Sequence, residues 1–365
     1  MKRTRTYAIA GLAAAGSLLL TACSDDNSGG SGNGGSGSGA DIECGEGDLN
    51  ASGSSAQAKA IDAIQASFAA TCDSIAVNYD ASGSGAGVSD FIAGKVDMAG
   101  SDSVLSEEET ADAGEMCADG PAINLPMVIS PVAIVYNVEG IDNLNLNAEV
   151  TSKIFAGEIT SWDDEAIAEL NPDADLPGTS ITTVHRSKDS GTTDNFTKFL
   201  EAAGDGAWTF GTGKAWSAPG GQGAPDSAGI VSAVNATDGS ISYVDGPDAT
   251  ANNLNVASID SGFGPVELNA DSVGKAVEAA EHVGEGNDIK LELDYGLKEE
   301  GAYPALLVTY EIVCETGLAD DKIDVVKSFL KFAVTDGQTA IEEIGYIPLP
   351  EELRAEVETA VDAIS

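Results

Sequence analysis

Three segments rich in glycine and hydroxyl residues each run directly into an amphipathic pattern, and that combination can bind an anion. They are Ala51-Ser-Gly-Ser-Ser-Ala-Gln57 before Ile61, Ile64 and Phe68, Ser82-Gly-Ser-Gly-Ala-Gly87 before Val88, Phe91 and Ile92, and Arg186-Ser-Lys-Asp-Ser-Gly-Thr192 before Phe196, Phe199 and Leu200. A helix start leaves backbone N–H groups unpaired at the positive end of its peptide dipoles, and small side chains let an oxyanion approach them. Taken singly, each loop reads equally as an ordinary N-cap, since Ser, Thr and Gly favour that position for structural reasons. Arg186 sets the third apart. It closes an apolar strand pattern just before the hydroxyl run and presents a planar fork of donors suited to an oxyanion.

Asp102, in Gly100-Ser-Asp-Ser103, adds a selective element. An ionised carboxylate only accepts hydrogen bonds, so beside an anion pocket it repels any guest that brings no proton. Phosphate near neutral pH carries a P–OH and sulfate does not, so this carboxylate discriminates between them. The structural alternative is that Asp102 caps a turn ahead of the Ser106-Glu-Glu-Glu109 capping-box pattern. Other chemistry has little support. Neither Ser84 nor Ser190 lies in Gly-x-Ser-x-Gly, no phosphate-binding Gly-x-x-x-x-Gly-Lys loop occurs, and His185 reads as a packed strand residue. With two distant histidines, His185 and His282, and no Cys-x-x-Cys, no metal, cofactor or catalytic residue is expected.

The elements that must hold these loops alternate between strand and helix across the body, which predicts α/β architecture. Strands are expected over 75–79, 95–99, 123–136, 181–185, 240–244 and 306–313, with late helices over 322–334 and 351–364. The apolar run 123–136 is long for one strand and contains Pro126 and Pro131, which suits a crossing from one domain to another; 303–310 would be the return crossing. A chain of 365 residues predicts two domains of about 100 to 200 residues each. A net charge of −43, from 60 acidic against 17 basic residues, excludes nucleic acid as the default partner, because phosphate backbones are bound through clustered Lys and Arg.

The N-terminus reads as an address. Lys2, Arg3 and Arg5 precede an apolar run to Leu20 and then Leu20-Thr-Ala-Cys23, the order of a lipoprotein signal cut before a lipid-bearing Cys23. The Gly/Ser/Asn segment that follows is a flexible tether with a reach of about 23 Å. In an exported chain Cys44, Cys72, Cys117 and Cys314 should be oxidised, and three pairings are open. Cys44 with Cys72 and Cys117 with Cys314 is preferred, since the first closes a local loop around one helix and the second ties the late chain to the early part.

At these residues, and at Leu125-Pro126, Lys153-Ile-Phe-Ala-Gly-Glu-Ile-Thr-Ser-Trp162, Gly239-Ser-Ile-Ser-Tyr243 and Thr309-Tyr-Glu-Ile-Val-Cys314, the chain resembles the phosphate-binding lipoproteins of actinobacterial ABC phosphate importers. The resemblance implies a two-lobed, type II periplasmic-binding-protein fold with hinge crossovers. Residues 1–22 would be the signal, 23–43 the lipidated tether, 44–129 plus 304–365 lobe I, and 130–303 lobe II. It implies a phosphate site at Ser54, Ser55, Ala56, Ser84, Asp102, Arg186, Ser190, Gly191 and Thr192, with Asp189 available to orient Arg186. Where many relatives have an aromatic residue this chain has Ala56, which leaves only backbone chemistry there. The implied protein is no enzyme. It is a monomer anchored by lipid on the outer membrane face, and its partners are inorganic phosphate and the importer's permease and ATPase. Alternatives are another tetrahedral oxyanion, or a phosphatase or surface-antigen role on the same fold.

Overall fold

The computed structural model describes residues 42–118 and 120–365; the signal, Cys23 and the tether up to residue 41 lie outside the described residues. One hydrogen-bonded path of strands runs through the body. Ile75–Asp80, Gly47–Gly53 and Met98–Ser101 pair in parallel, Leu306–Cys314 joins antiparallel to the last of these, and Ala122–Asn137 follows antiparallel to Leu306–Cys314. Beyond it lie Ser240–Asp245, Thr182–Arg186 and Gln222–Ala224. The apolar run around Ile123–Tyr136 is thus a single strand of 16 residues. Its first part, to Pro131, pairs with Leu306–Cys314, and its second, from Val132, pairs with Ser240–Asp245, so this strand joins the two halves of the sheet. Pro126 sits opposite Tyr310 beside a register shift, the kind of irregularity at which a sheet admits proline. The result is the two-lobed type II architecture.

Helices cover the sheet because their apolar faces must be buried. Ala58–Thr71 buries Ile61, Ile64 and Phe68, and Phe68 meets Phe329 edge-on at 5.5 Å between ring centroids. Ser84–Ile92 buries Val88 and Phe91, while Gly191–Ala203 buries Phe196, Phe199 and Leu200. The late helices run over Asp320–Val334 and Glu351–Ala363. Disulfides join Cys44 to Cys72 and Cys117 to Cys314, each with Cα atoms 5.5 Å apart. In the chain-entropy picture such closures contribute about 4 and 5 kcal/mol respectively.

Two local expectations shift. The strand expected from Lys95 begins at Met98, because residues 93–95 complete the end of the preceding helix and its turn. Gly47–Gly53 is a central strand with no apolar alternation to announce it. It has parallel neighbours on both edges, and Gly53 passes so close to Gly100 that a Cβ would collide with the Gly100 carbonyl.

Candidate functional site

The first loop leaves the C-terminal end of Gly47–Gly53 and turns through Ser54, Ser55 and Ala56 into Ala58–Thr71. Two tyrosines hold its carbonyls: Tyr79 donates to the Ser54 carbonyl at 2.8 Å and Tyr346 to that of Ala56 at 2.7 Å. The Ala56 N–H is engaged locally, donating to Ser54 Oγ at 3.1 Å. Ser55 Oγ instead reaches across to Ser227 Oγ at 3.0 Å.

The second and third loops meet at Asp102, which is 3% exposed. Ser84 Oγ and Thr192 Oγ1 both donate to Asp102 Oδ2 at 3.3 Å, and Thr309 Oγ1 donates to Oδ1 at 2.8 Å. Asn195 Nδ2 holds the Asp102 carbonyl at 2.7 Å. Gly191 makes this meeting possible, since a Cβ there would lie 2.5 Å from Asp102 Cβ and 2.8 Å from Ser84 Oγ. Burial raises the Asp102 pKa; hydrogen bonds from Ser54 and Thr309, the Arg186 charge and the Thr192 hydroxyl oppose that rise. Asp102 is therefore not a simple turn cap ahead of Ser106. That cap is separate: Ser106 and Glu109 form their own capping box.

Arg186 ends the strand Thr182–Arg186 and is 2% exposed. Its N–H donates to Tyr243 Oη at 3.3 Å, and the same phenol lies 2.7 Å from Thr193 Oγ1 and stacks on Phe196 at 4.2 Å. These contacts lock the strand end to the third helix start. The guanidinium donates from Nη2 to the Pro225 carbonyl at 3.3 Å, whereas buried Nε has no hydrogen-bond partner among the described residues. Asp189 does not orient it: that side chain is exposed, and among the described residues it forms no hydrogen bond to Arg186. The acids that bear on Arg186 are Asp102, Asp226 and Asp245. Ser190 caps its own helix, accepting from the Thr193 N–H at 3.4 Å, and its N–H donates to the Lys214 carbonyl. His185 stacks on Trp216 at 4.9 Å, with Nδ1 2.9 Å from the Arg186 carbonyl, as a packed strand residue.

A PBP superfamily domain matches residues 33–337. Over the full length of both chains, the sequence is 42% identical to the phosphate-binding protein PstS 3 of Mycobacterium tuberculosis and 41% identical to that of Mycobacterium leprae. This chain belongs to the PstS family of phosphate-binding proteins. Among solved structures, a high-affinity periplasmic phosphate-binding protein with bound phosphate superposes with a TM-score of 0.70 at 23% identity, covering 86% of this chain and 93% of the other. A putative phosphate ABC transporter substrate-binding protein from Clostridium perfringens gives 0.61 at 17%, covering 83% and 100%. At these identities the two structures speak for the fold alone.

Of the residues expected at the site, Ser84 and Thr192 meet at Asp102, Ser54 and the Arg186 charge reach the same carboxylate, and Ser55 turns instead to Ser227. Sequence reasoning missed Ser227, Thr309, Asn195 and Tyr243. Ser227 had a readable signal, because Asp226-Ser-Ala-Gly229 is a fourth helix start, with Asp226 accepting from the Gly229 N–H at 2.8 Å. Thr309 had none beyond its place in the late strand. Asp245 was also missed; it is fully buried at the end of Ser240–Asp245, and burial pushes its carboxyl up to about 8 against the pull of Lys59.

Proposed function

We propose that this chain binds inorganic phosphate between its lobes, outside the cytoplasm, and hands it to the permease and ATPase of an ABC phosphate importer without changing it chemically. The observation that carries this is the meeting of the second and third helix starts at a buried carboxylate that Ser54 of the first loop and the Arg186 charge also reach, with Arg186 Nε unpaired among the described residues. Such a site suits an anion that also donates a hydrogen bond. Ser55, Ser84 and Thr192 would donate hydroxyls, Ser54, Ala56, Ser190 and Gly191 would shape the backbone walls, Arg186 would supply charge, and Asp102 would accept the ligand's proton. The lobes divide at 129/130 and 303/304, so that hinge strands close the cleft. A lipid on Cys23 keeps the monomer at the outer membrane face. The importer relatives support transport, and the absence of an activated nucleophile in the motifs supports binding without turnover.

Titration calorimetry with phosphate, arsenate and sulfate tests this function. Phosphate and arsenate should bind and sulfate should not. Asp102→Asn should weaken phosphate by about 1–3 kcal/mol and narrow the gap to sulfate, since the amide donates where the carboxylate repels. Equal heats for sulfate and phosphate in the unmodified protein would sink the proton-acceptor role.

A further inference from the structure

Glu311 lies in the middle of Leu306–Cys314, paired with Gly100 on one side and Leu125 on the other, and it is fully buried. Among the described residues neither of its carboxyl oxygens has a hydrogen-bond partner, and neither does Oε1 of Gln57. The Gln57 amide is the side-chain hydrogen-bonding group facing Glu311. Gly100 leaves the space for this packing: a Cβ there would collide with the Gln57 amide and lie 2.7 Å from Tyr79 Oη.

Counting protons decides the state of the cluster. Gln57 Nε2 donates to Tyr79 Oη at 3.0 Å, and the Tyr79 proton goes to the Ser54 carbonyl. One Nε2 hydrogen is left for the two Glu311 oxygens, and it cannot reach Oε1 of its own amide, so that oxygen has no donor. A carboxylate there would be a buried charge with at most one donor, whereas a protonated acid adds the donor that Gln57 Oε1 lacks. The titratable groups around it are Tyr79 and Asp102, with Tyr346, Asp245 and Arg186 beyond Asp102. Among the described residues no cation bears on it to hold a negative charge.

We propose that Glu311 is a positioning residue carried as an uncharged acid, and that its ionisation at alkaline pH disturbs the Gln57–Tyr79–Ser54 chain beneath the first anion loop and weakens phosphate binding. This rests on the phosphate-binding function proposed above. Burial pushes the Glu311 carboxyl up to about 7, with the Gln57 amide opposing, so the change falls in the neutral range. The sign follows from linkage. Below that value the acid is neutral and the loop is held; above it a second negative charge appears beneath an anion site, and phosphate binding draws a proton back onto Glu311.

The test compares the phosphate Kd of the full chain with that of Glu311→Gln from about pH 5.5 to about pH 8.5, so that the ligand's own ionisation cancels in the ratio. The ratio should be flat in acid and rise about tenfold in favour of the variant at alkaline pH. A ratio that does not change with pH overturns the coupling. Melting of the anion-free proteins reads the acid on its own, and Glu311→Gln should gain on the parent as pH rises toward about 7 and level off above it. A melting gain in proteins that give no heat with phosphate would sink the binding function while leaving the neutral acid standing; no pH-dependent difference in either measurement overturns the Glu311 proposal. Should Glu311→Gln not fold, Glu311→Met removes the acid while leaving the Gln57–Tyr79–Ser54 chain in place. Its Kd ratio to the parent should show the same alkaline rise, and a flat ratio overturns the proposal.

Discussion

The helices Ser84–Ile92 and Glu107–Met116 begin close together in sequence on the same lobe, and each has a serine at its start. Ser106 caps Glu107–Met116 from an exposed position, accepting from the Glu109 N–H at 3.2 Å while Glu109 returns the bond at 2.8 Å. Ser84 is buried at the start of the other helix and caps nothing of its own: its hydroxyl faces Asp102, and no side chain caps that helix. A scaffold helix satisfies its own donors. The start of Ser84–Ile92, facing the cleft, leaves its donors without a side-chain cap, which gives up some intrinsic stability for a site that an anion can complete.

Arg186→Ala is expected to have the largest effect, because it removes the cation that these open starts face. Phosphate affinity should fall by about 3–5 kcal/mol in calorimetry. Retention of near-parental affinity would mean that the helix starts need no arginine. Ser84→Ala should cost about 1–2 kcal/mol of phosphate affinity and leave the melting temperature close to the parent's. The mirror-image change, Ser106→Ala, should cost about 1 kcal/mol of stability in denaturant unfolding and leave phosphate Kd unchanged. If the two serine variants behaved alike, the distinction between scaffold and cleft starts would fail.

Much of this was legible in advance. The apolar spacing of Ile61, Ile64 and Phe68, or of Phe196, Phe199 and Leu200, marks helices whose faces are indeed buried. The Ser106 capping box could be read directly, as could the strands bearing Arg186 and Thr309. Gly47–Gly53 was illegible because its neighbours, not its own side chains, make it a strand. The family resemblance offered Asp189, one place off the family's carboxylate, to orient Arg186, yet exposure takes it outward while the Pro225 carbonyl, from a separate segment, receives the guanidinium.

Local sequence determined where helices begin, which loops stay small enough for an anion, and the order of elements, since these depend on residues a few positions apart. Tertiary structure alone decided which donors remain free and which acids are buried. Ser55 meets Ser227 across 172 residues of chain and Asp102 meets Thr309 across 207; the second contact exists because Met98–Ser101 and Leu306–Cys314 lie side by side, and the first because two helix starts far apart in sequence come together. Local patterns cannot encode such pairings, because strand register and the burial of a carboxyl such as Glu311 follow from how distant surfaces pack together.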